Sequence, residues 1–228
     1  MVMRVDPADP FQVAMLTGLF DRHGAWAMRQ YVRPASVLID VGAHIGYFTL
    51  LGAQLVGASG AVHAFEPDPR LRPRLEEHVR MNRVDWVAVD ERALLNHAGE
   101  VSLALPDQLG WASVTANGGD VPATATTLDS YVDERGIDPA AISFVKIDAE
   151  GAEAAVIDGA LATLAAARTV AVLVEHPPGR AEKPDEIPSI MGSLGFAPYV
   201  PVRHGLGFKL EPGAVPKVGF DVLFLRRH

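Results

Sequence analysis

The sequence predicts an α/β protein: a seven-stranded, mostly parallel sheet with helices on both faces and an antiparallel last strand. From residue 36 onward, short apolar runs of strand length alternate with amphipathic stretches of helix length, the pattern of β-α units in a parallel sheet. The core runs are apolar almost without a break, as strands covered on both faces are. The last two runs, 196–202 and 218–227, have no helix between them, so the final strand returns antiparallel.

Taken in order, the chain opens with a helix. Asp9 caps it, Pro10 suits its first turn, and Phe11, Met15 and Leu19 share one face. Residues 1–34, closed by Pro34, read as a helical extension that covers one end of the sheet or joins a homodimer; residues 35–228 form the main domain. SVLIDVG (36–42) is a buried strand ended by Gly42, and residues 45–57 form the helix behind it. AVHAFEP (61–67) is the second strand. Asp68 and Pro69 then start a helix with Leu71, Leu75 and Val79 on one face. DWVAVD (85–90) is the third strand, and EVSLAL (100–105) with a segment near 123–127 forms two half-exposed ones. A short helix (128–136), the strand AISFVKID (141–148), a helix over 153–167 and the strand TVAVLVE (169–175) follow. A Pro-rich loop (177–188) leads to a helix ending at Gly195 and then to the final pair of strands, with a Gly- and Pro-containing excursion between them.

Composition mainly excludes. With 228 residues, 49% apolar and 21% charged, the chain is a globular domain and not a disordered one. A net charge of −8 with only short basic runs argues against nucleic acid as a partner. The absence of cysteine removes disulfides, thiolate metal sites and cysteine nucleophiles, and fits a reducing compartment. With no signal peptide and no long apolar stretch, the expectation is a cytoplasmic protein without a membrane partner.

In a doubly wound sheet the ligand lies beyond the carboxyl ends of the strands, beside strand one. Asp40, Gly42, His44 and Gly46 occupy that turn. Glu66 ends strand two, where an acid can accept hydrogen bonds from both ribose hydroxyls of an adenosine ligand; the plainer reading is a helix-capping glutamate. Ala43 stands where a dinucleotide turn has its middle glycine, and Asp40 would repel a pyrophosphate. An ammonium and a sulfonium suit that acid, so S-adenosylmethionine is favoured over NAD. Glu91 and Ala93, in the turn after strand three, are placed for the adenine edge.

Strand four runs into Lys146 and Asp148, which point the same way on a period-two strand. Glu150 and Glu153 read as acids capping the next helix. Strand five ends in Glu175 and His176. Asp148, Glu175 and His176 either bind a divalent cation such as Mg2+ or position a base; the plainer reading of the last two is a surface pair before a turn. The candidate catalytic residues are therefore His176, Asp148 and Lys146.

The blocks DVGAHIGYFTL, AFEPDP, TTLDSYV, VKIDAEGAE and LVEH occur in an order that resembles the FkbM family of S-adenosylmethionine-dependent methyltransferases, over about residues 36–178. The resemblance implies a Rossmann-like class I methyltransferase fold and methyl transfer to a hydroxyl oxygen, often on sugars or natural products. It implies that Asp40, Gly42, Gly46 and Glu66 serve the cofactor, and that Lys146, Asp148, Glu150, Gly151 and Glu153 form the second block. His44 departs from the family's usual asparagine, and either contacts the cofactor carboxylate or fills the turn. The expected acceptor is a small molecule or oligosaccharide, framed by Trp111, Tyr199 and the segments 177–188 and 203–217. Two rival readings are a non-catalytic cofactor-binding module and a nicotinamide oxidoreductase.

Overall fold

The computed structural model describes residues 1–107, 110–115, 118–167, 170–175, 186–205, 207–212 and 221–226. The first strands fall where strand-length apolar runs predict them: β1 (Val37–Val41), β2 (Ala61–Phe65) and β3 (Val87–Asp90). β4 (Ala93–Leu94), β5 (Gly99–Ala104), β6 (Ser113–Thr115) and β7 (Val121–Thr126) follow. Then come β8 (Ile142–Ile147), β9 (Ala171–Val174), β10 (Phe196–His204), β11 (Gly207–Pro212) and β12 (Val222–Arg226). The main sheet has the order β11-β10-β12-β9-β8-β1-β2-β3. β12 runs antiparallel to both β9 and β10, while β9, β8, β1, β2 and β3 pair in parallel. The predicted seven-stranded plan is therefore present, with β11 added as an edge strand antiparallel to β10. β11 lies within the predicted excursion, whose polar and glycine-rich residues carry no core-strand pattern.

The helices are α1 (Pro10–Thr17), α2 (Arg22–Tyr31), α3 (Tyr47–Val56), α4 (Arg72–Asn82), α5 (Leu128–Glu134), α6 (Glu153–Asp158), α7 (Leu161–Ala166) and α8 (Glu186–Ser193). Strand periodicity divides the core between the sheet's two faces. Ile39, Val41, Val145, Ile147, Val172 and Phe224 join one cluster with residues of α5 to α8. Leu38, Val62, Phe144, Leu173 and Leu223 join the other with α2 and α3, where Ala27 and Met28 are fully buried. A smaller sheet, β4-β7-β5-β6, stands beside the carboxyl end of the main one.

Two expectations are corrected. Phe11, Met15 and Leu19 do not share one helix: α1 ends before Leu19, and Met15 is buried while Phe11 and Leu19 are exposed. α1 is short. The Asp9 carboxylate caps it through the N–H groups of Phe11 and Gln12, and it ends at Gly18 in a left-handed conformation before α2 begins. The helix expected over 153–167 is two helices. At the break, the Gly159 carbonyl accepts the Asp129 N–H, and Asp129 in turn caps α7 through the N–H groups of Ala162 and Thr163.

Packing at that break leaves no room for a side chain, since a Cβ on Gly159 would lie 1.9 Å from the Leu95 carbonyl oxygen. Gly159→Ala is expected to lower unfolding stability by about 1–3 kcal/mol through overpacking. The change should appear as a lower urea midpoint at unchanged m-value.

Candidate active site

Beyond the carboxyl ends of β1, β2, β8 and β9 lies a cavity of about 510 Å³, roofed by residues of the smaller sheet and of α1. Of the predicted residues, Gly42, His44, Glu66, Ala93, Asp148 and Glu175 line it. They come together because each sits at or just past the end of a parallel strand, at the crevice such sheets reserve for ligands.

The turn after β1 is held from both sides. The N–H groups of Gly42 and Ala43 both donate to the Phe65 carbonyl. Gly42 has φ +74°, and a Cβ there would lie 1.8 Å from the Asp148 carbonyl oxygen. No L side chain fits. His44 follows at φ +54°, and its N–H donates to Glu66 Oε2 at 2.6 Å. Burial lowers the His44 pKa, against the opposing pull of Asp148. Its imidazole rests under Gly110, where an added Cβ would lie 2.8 Å from Nε2. Gly46 is the N-cap of α3.

Glu66 Oε1 accepts the Asp68 N–H at 2.8 Å, so both oxygens are already fixed by backbone. Burial pushes its pKa up to about 7, moderated by those two donors. A fixed carboxyl at the cavity wall keeps lone pairs for vicinal hydroxyls. Ala93 lines the cavity beside Leu94 and Leu103. The structure does not bring Glu91 to this group: its side chain is 68% exposed and pairs with Arg72 at 3.1 Å outside the cavity.

Below the floor is a chain of charges. Asp40 and Lys146 are register partners on β1 and β8, on the sheet face covered by α3. Asp40 is buried and does not line the cavity; its Oδ2 accepts the Thr49 hydroxyl at 2.6 Å, and its buried Oδ1 has no partner. Burial raises its pKa, with Lys146 opposing. Lys146 Nζ lies 2.7 Å from Asp148 Oδ2 and 4.9 Å above the Phe48 ring. Although burial disfavours its charge, Asp148, Asp40 and Glu175 together raise the Lys146 pKa. Burial disfavours the Asp148 anion too, but Lys146 outweighs it and holds this carboxyl below its ordinary value. Glu175 is hydrogen-bonded to Asp148; burial first, and that neighbouring anion second, push its pKa well up. The pair thus carries one proton, with Lys146 as counter-ion.

Glu153 behaves as a cap: Oε1 accepts the N–H groups of Ala149 and Gly151. His176 lies outside the described residues, as do residues 177–185 of the predicted loop. Among the described residues no three His, Asp or Glu side chains are grouped to hold a metal. Asp148 and Glu175 are hydrogen-bonded to each other and Asp148 to Lys146, and the third expected ligand, His176, lies outside the described residues. Trp111 lines the cavity as expected, whereas Tyr199, on β10, does not. Asp9, Phe11, Met15 and Phe20 line it unforeseen, because an apolar helix face reads the same whether it meets a core or a ligand.

For S-adenosylmethionine the residues fit. Glu66 can take ribose hydroxyls, the Asp148 anion suits a cationic ligand, and Ala93, Leu94 and Leu103 give an apolar wall for a base.

Residues 40–198 match the family model described as the Methyltransferase FkbM domain. The chain is 31% identical over 170 residues to the 31-O-demethyl-FK506 methyltransferase FkbM of Streptomyces tacrolimicus; the match covers 60% of this chain and 62% of that relative's length. Among solved structures it is similar to a methyltransferase FkbM from Methylobacillus flagellatus KT, with TM-score 0.55, 16% identity, and coverage of 95% of this chain and 55% of the other. It is also similar to the magnesium protoporphyrin IX methyltransferase of Synechocystis PCC 6803 with bound S-adenosylmethionine, with TM-score 0.52, 12% identity, and coverage of 98% and 87%. At these identities the solved structures establish the Rossmann-like methyltransferase fold.

The raised pKa of Glu66 has a measurable consequence. Below about pH 7 the free site holds it protonated, and an ionised carboxylate is the better acceptor for two hydroxyls. Affinity for S-adenosylhomocysteine, measured by calorimetry, is expected to rise between about pH 6 and pH 8 in the wild type. In Glu66→Gln it should be weaker by roughly tenfold and flat across that range.

Proposed function

The chain belongs to the FkbM family of S-adenosylmethionine-dependent methyltransferases, and from that premise we propose that its acceptor is a hydroxyl oxygen of a sugar, an oligosaccharide or a glycosylated natural product. The observation that carries this reading is the meeting, at one cavity, of the Glu66 wall with the Asp148–Glu175 pair over Lys146. The name of the relative from Streptomyces tacrolimicus, which places its methyl group on an oxygen, supports the same choice of atom.

Bound at the Gly42 turn, the cofactor supplies an electrophilic methyl group. An alcohol attacks it only when its proton has somewhere to go. Asp148, kept ionised by Lys146, sets a fixed negative charge against the cofactor's sulfonium. Glu175, carrying a proton, donates to Asp148 and keeps that carboxylate in place. His176, next in sequence, takes the hydroxyl proton, because an imidazole titrates near neutral pH. Lys146 is a positioning residue: its ammonium reaches Asp148 from beneath and does not line the cavity. No step is assigned to Mg2+.

Sugars and glycosides incubated with methyl-labelled S-adenosylmethionine test the reading. The expected product carries label on oxygen. His176→Ala should lower kcat by about 10²–10⁴-fold with unchanged affinity for S-adenosylhomocysteine, and EDTA should leave turnover unaltered. Label on nitrogen or carbon, or full activity in His176→Ala, would count against it.

A further inference from the structure

We infer that α1 forms a wall of the acceptor site, and that Phe11 with Trp111 selects an uncharged acceptor whose hydroxyl is carried on an apolar body. This rests on the O-methyltransferase reading and narrows its substrate class.

Phe11 and Trp111 reach the cavity from separate elements, α1 and the segment before β6, and are 53% and 37% exposed. Large apolar side chains left wet at a cavity mouth gain when a ligand covers them. Met15 and Phe20 continue the apolar surface inward. Aromatic rings can take an aryl or alkyl group as well as the C–H face of a sugar.

α1 is held at the mouth by fixed polar contacts. The buried Gln12 side chain accepts hydrogen bonds from Arg74 of α4 at 2.9 Å and from the Asp6 N–H at 2.8 Å. His78 of α4 accepts the Arg4 N–H on Nε2 at 3.0 Å, and its Nδ1 bonds the Ile45 carbonyl at 2.7 Å. One imidazole therefore ties the N-terminal segment to the turn that carries His44. The family match begins at residue 40, so α1 lies outside it.

Charge narrows the class further. Asp9 and the ionised Asp148 line the cavity, and among the described lining residues there is no Lys or Arg. A nucleotide-activated sugar would bring its diphosphate against carboxylates. Methylation then follows the glycosyl transfer that joins a sugar to its apolar aglycone, rather than preceding it.

Calorimetric titration of the full chain, saturated with S-adenosylhomocysteine, tests this with matched pairs of methyl and p-nitrophenyl glycosides of glucose, mannose and rhamnose, and with UDP-glucose. The p-nitrophenyl member should bind about tenfold tighter, the scale of one aromatic contact. That preference should vanish in Phe11→Ala and in Trp111→Ala and persist in Val13→Ala, on the outer face of α1. UDP-glucose should bind more weakly than either glycoside. No difference within the pairs, a preference that survives in both aromatic variants, or tighter binding of UDP-glucose overturns the inference. Failure of the O-methyltransferase reading would appear separately, as no methyl transfer to any hydroxyl, and would leave these binding differences unaltered.

Discussion

A single buried cation organises the floor of the site. Lys146 stands at the end of β8 with Asp40 on the neighbouring strand, Asp148 two residues ahead and Glu175 across on β9. Burying an ammonium and three carboxyls is unfavourable unless they are paired, and even a well-paired buried ion pair contributes little net stability. The arrangement is better understood as a constraint on charge. One lysine cannot neutralise three anions, and burial pushes the pKa of both Asp40 and Glu175 up. The site thereby presents the Asp148 anion beside an acid whose ionisation burial disfavours.

That constraint depends on sheet register. Asp40 and Lys146 meet because β1 and β8 pair in parallel with those residues opposite each other. Asp148 and Glu175 meet because the Glu175 N–H donates to the Ile147 carbonyl and extends the pairing of β8 with β9 past its last rung. A slip of one residue would turn each acid toward the opposite face. The same ladder closes the Gly42 turn against the Asp148 carbonyl, so that turn and the Asp148–Glu175 pair share one rigid frame.

Much of this was legible in the residue pattern, and particular elements show why. β1, β2, β8 and β9 stand out because strands buried on both faces are short apolar runs, and acids at their ends have few structural uses. Lys146 and Asp148 share a direction by period two, as the structure bears out with a 2.7 Å contact. Glu91 was misleading because a turn, unlike a strand, has no period to say which way a side chain faces. The break at Gly159 was invisible because Leu95, the residue that fills the space beside it, is distant in sequence. α1 was legible as a helix but not as a wall, since an exposed Phe11 and a core Phe have the same local signature.

The sequence by itself determined the seven core strands, the antiparallel return, the glycine turn with an acid at the end of the second strand, and the family. Each follows from local patterning or from short-range spacing, which the chain carries wherever it folds. Only the tertiary structure decided that Asp40 lies beneath the floor rather than in it, that Glu175 and Asp148 divide one proton, and that α1 closes the cavity beside Trp111. These depend on burial and on contacts between segments far apart in the chain. A carboxylate's charge state and a helix's partner come into being only when those segments meet and water is excluded between them.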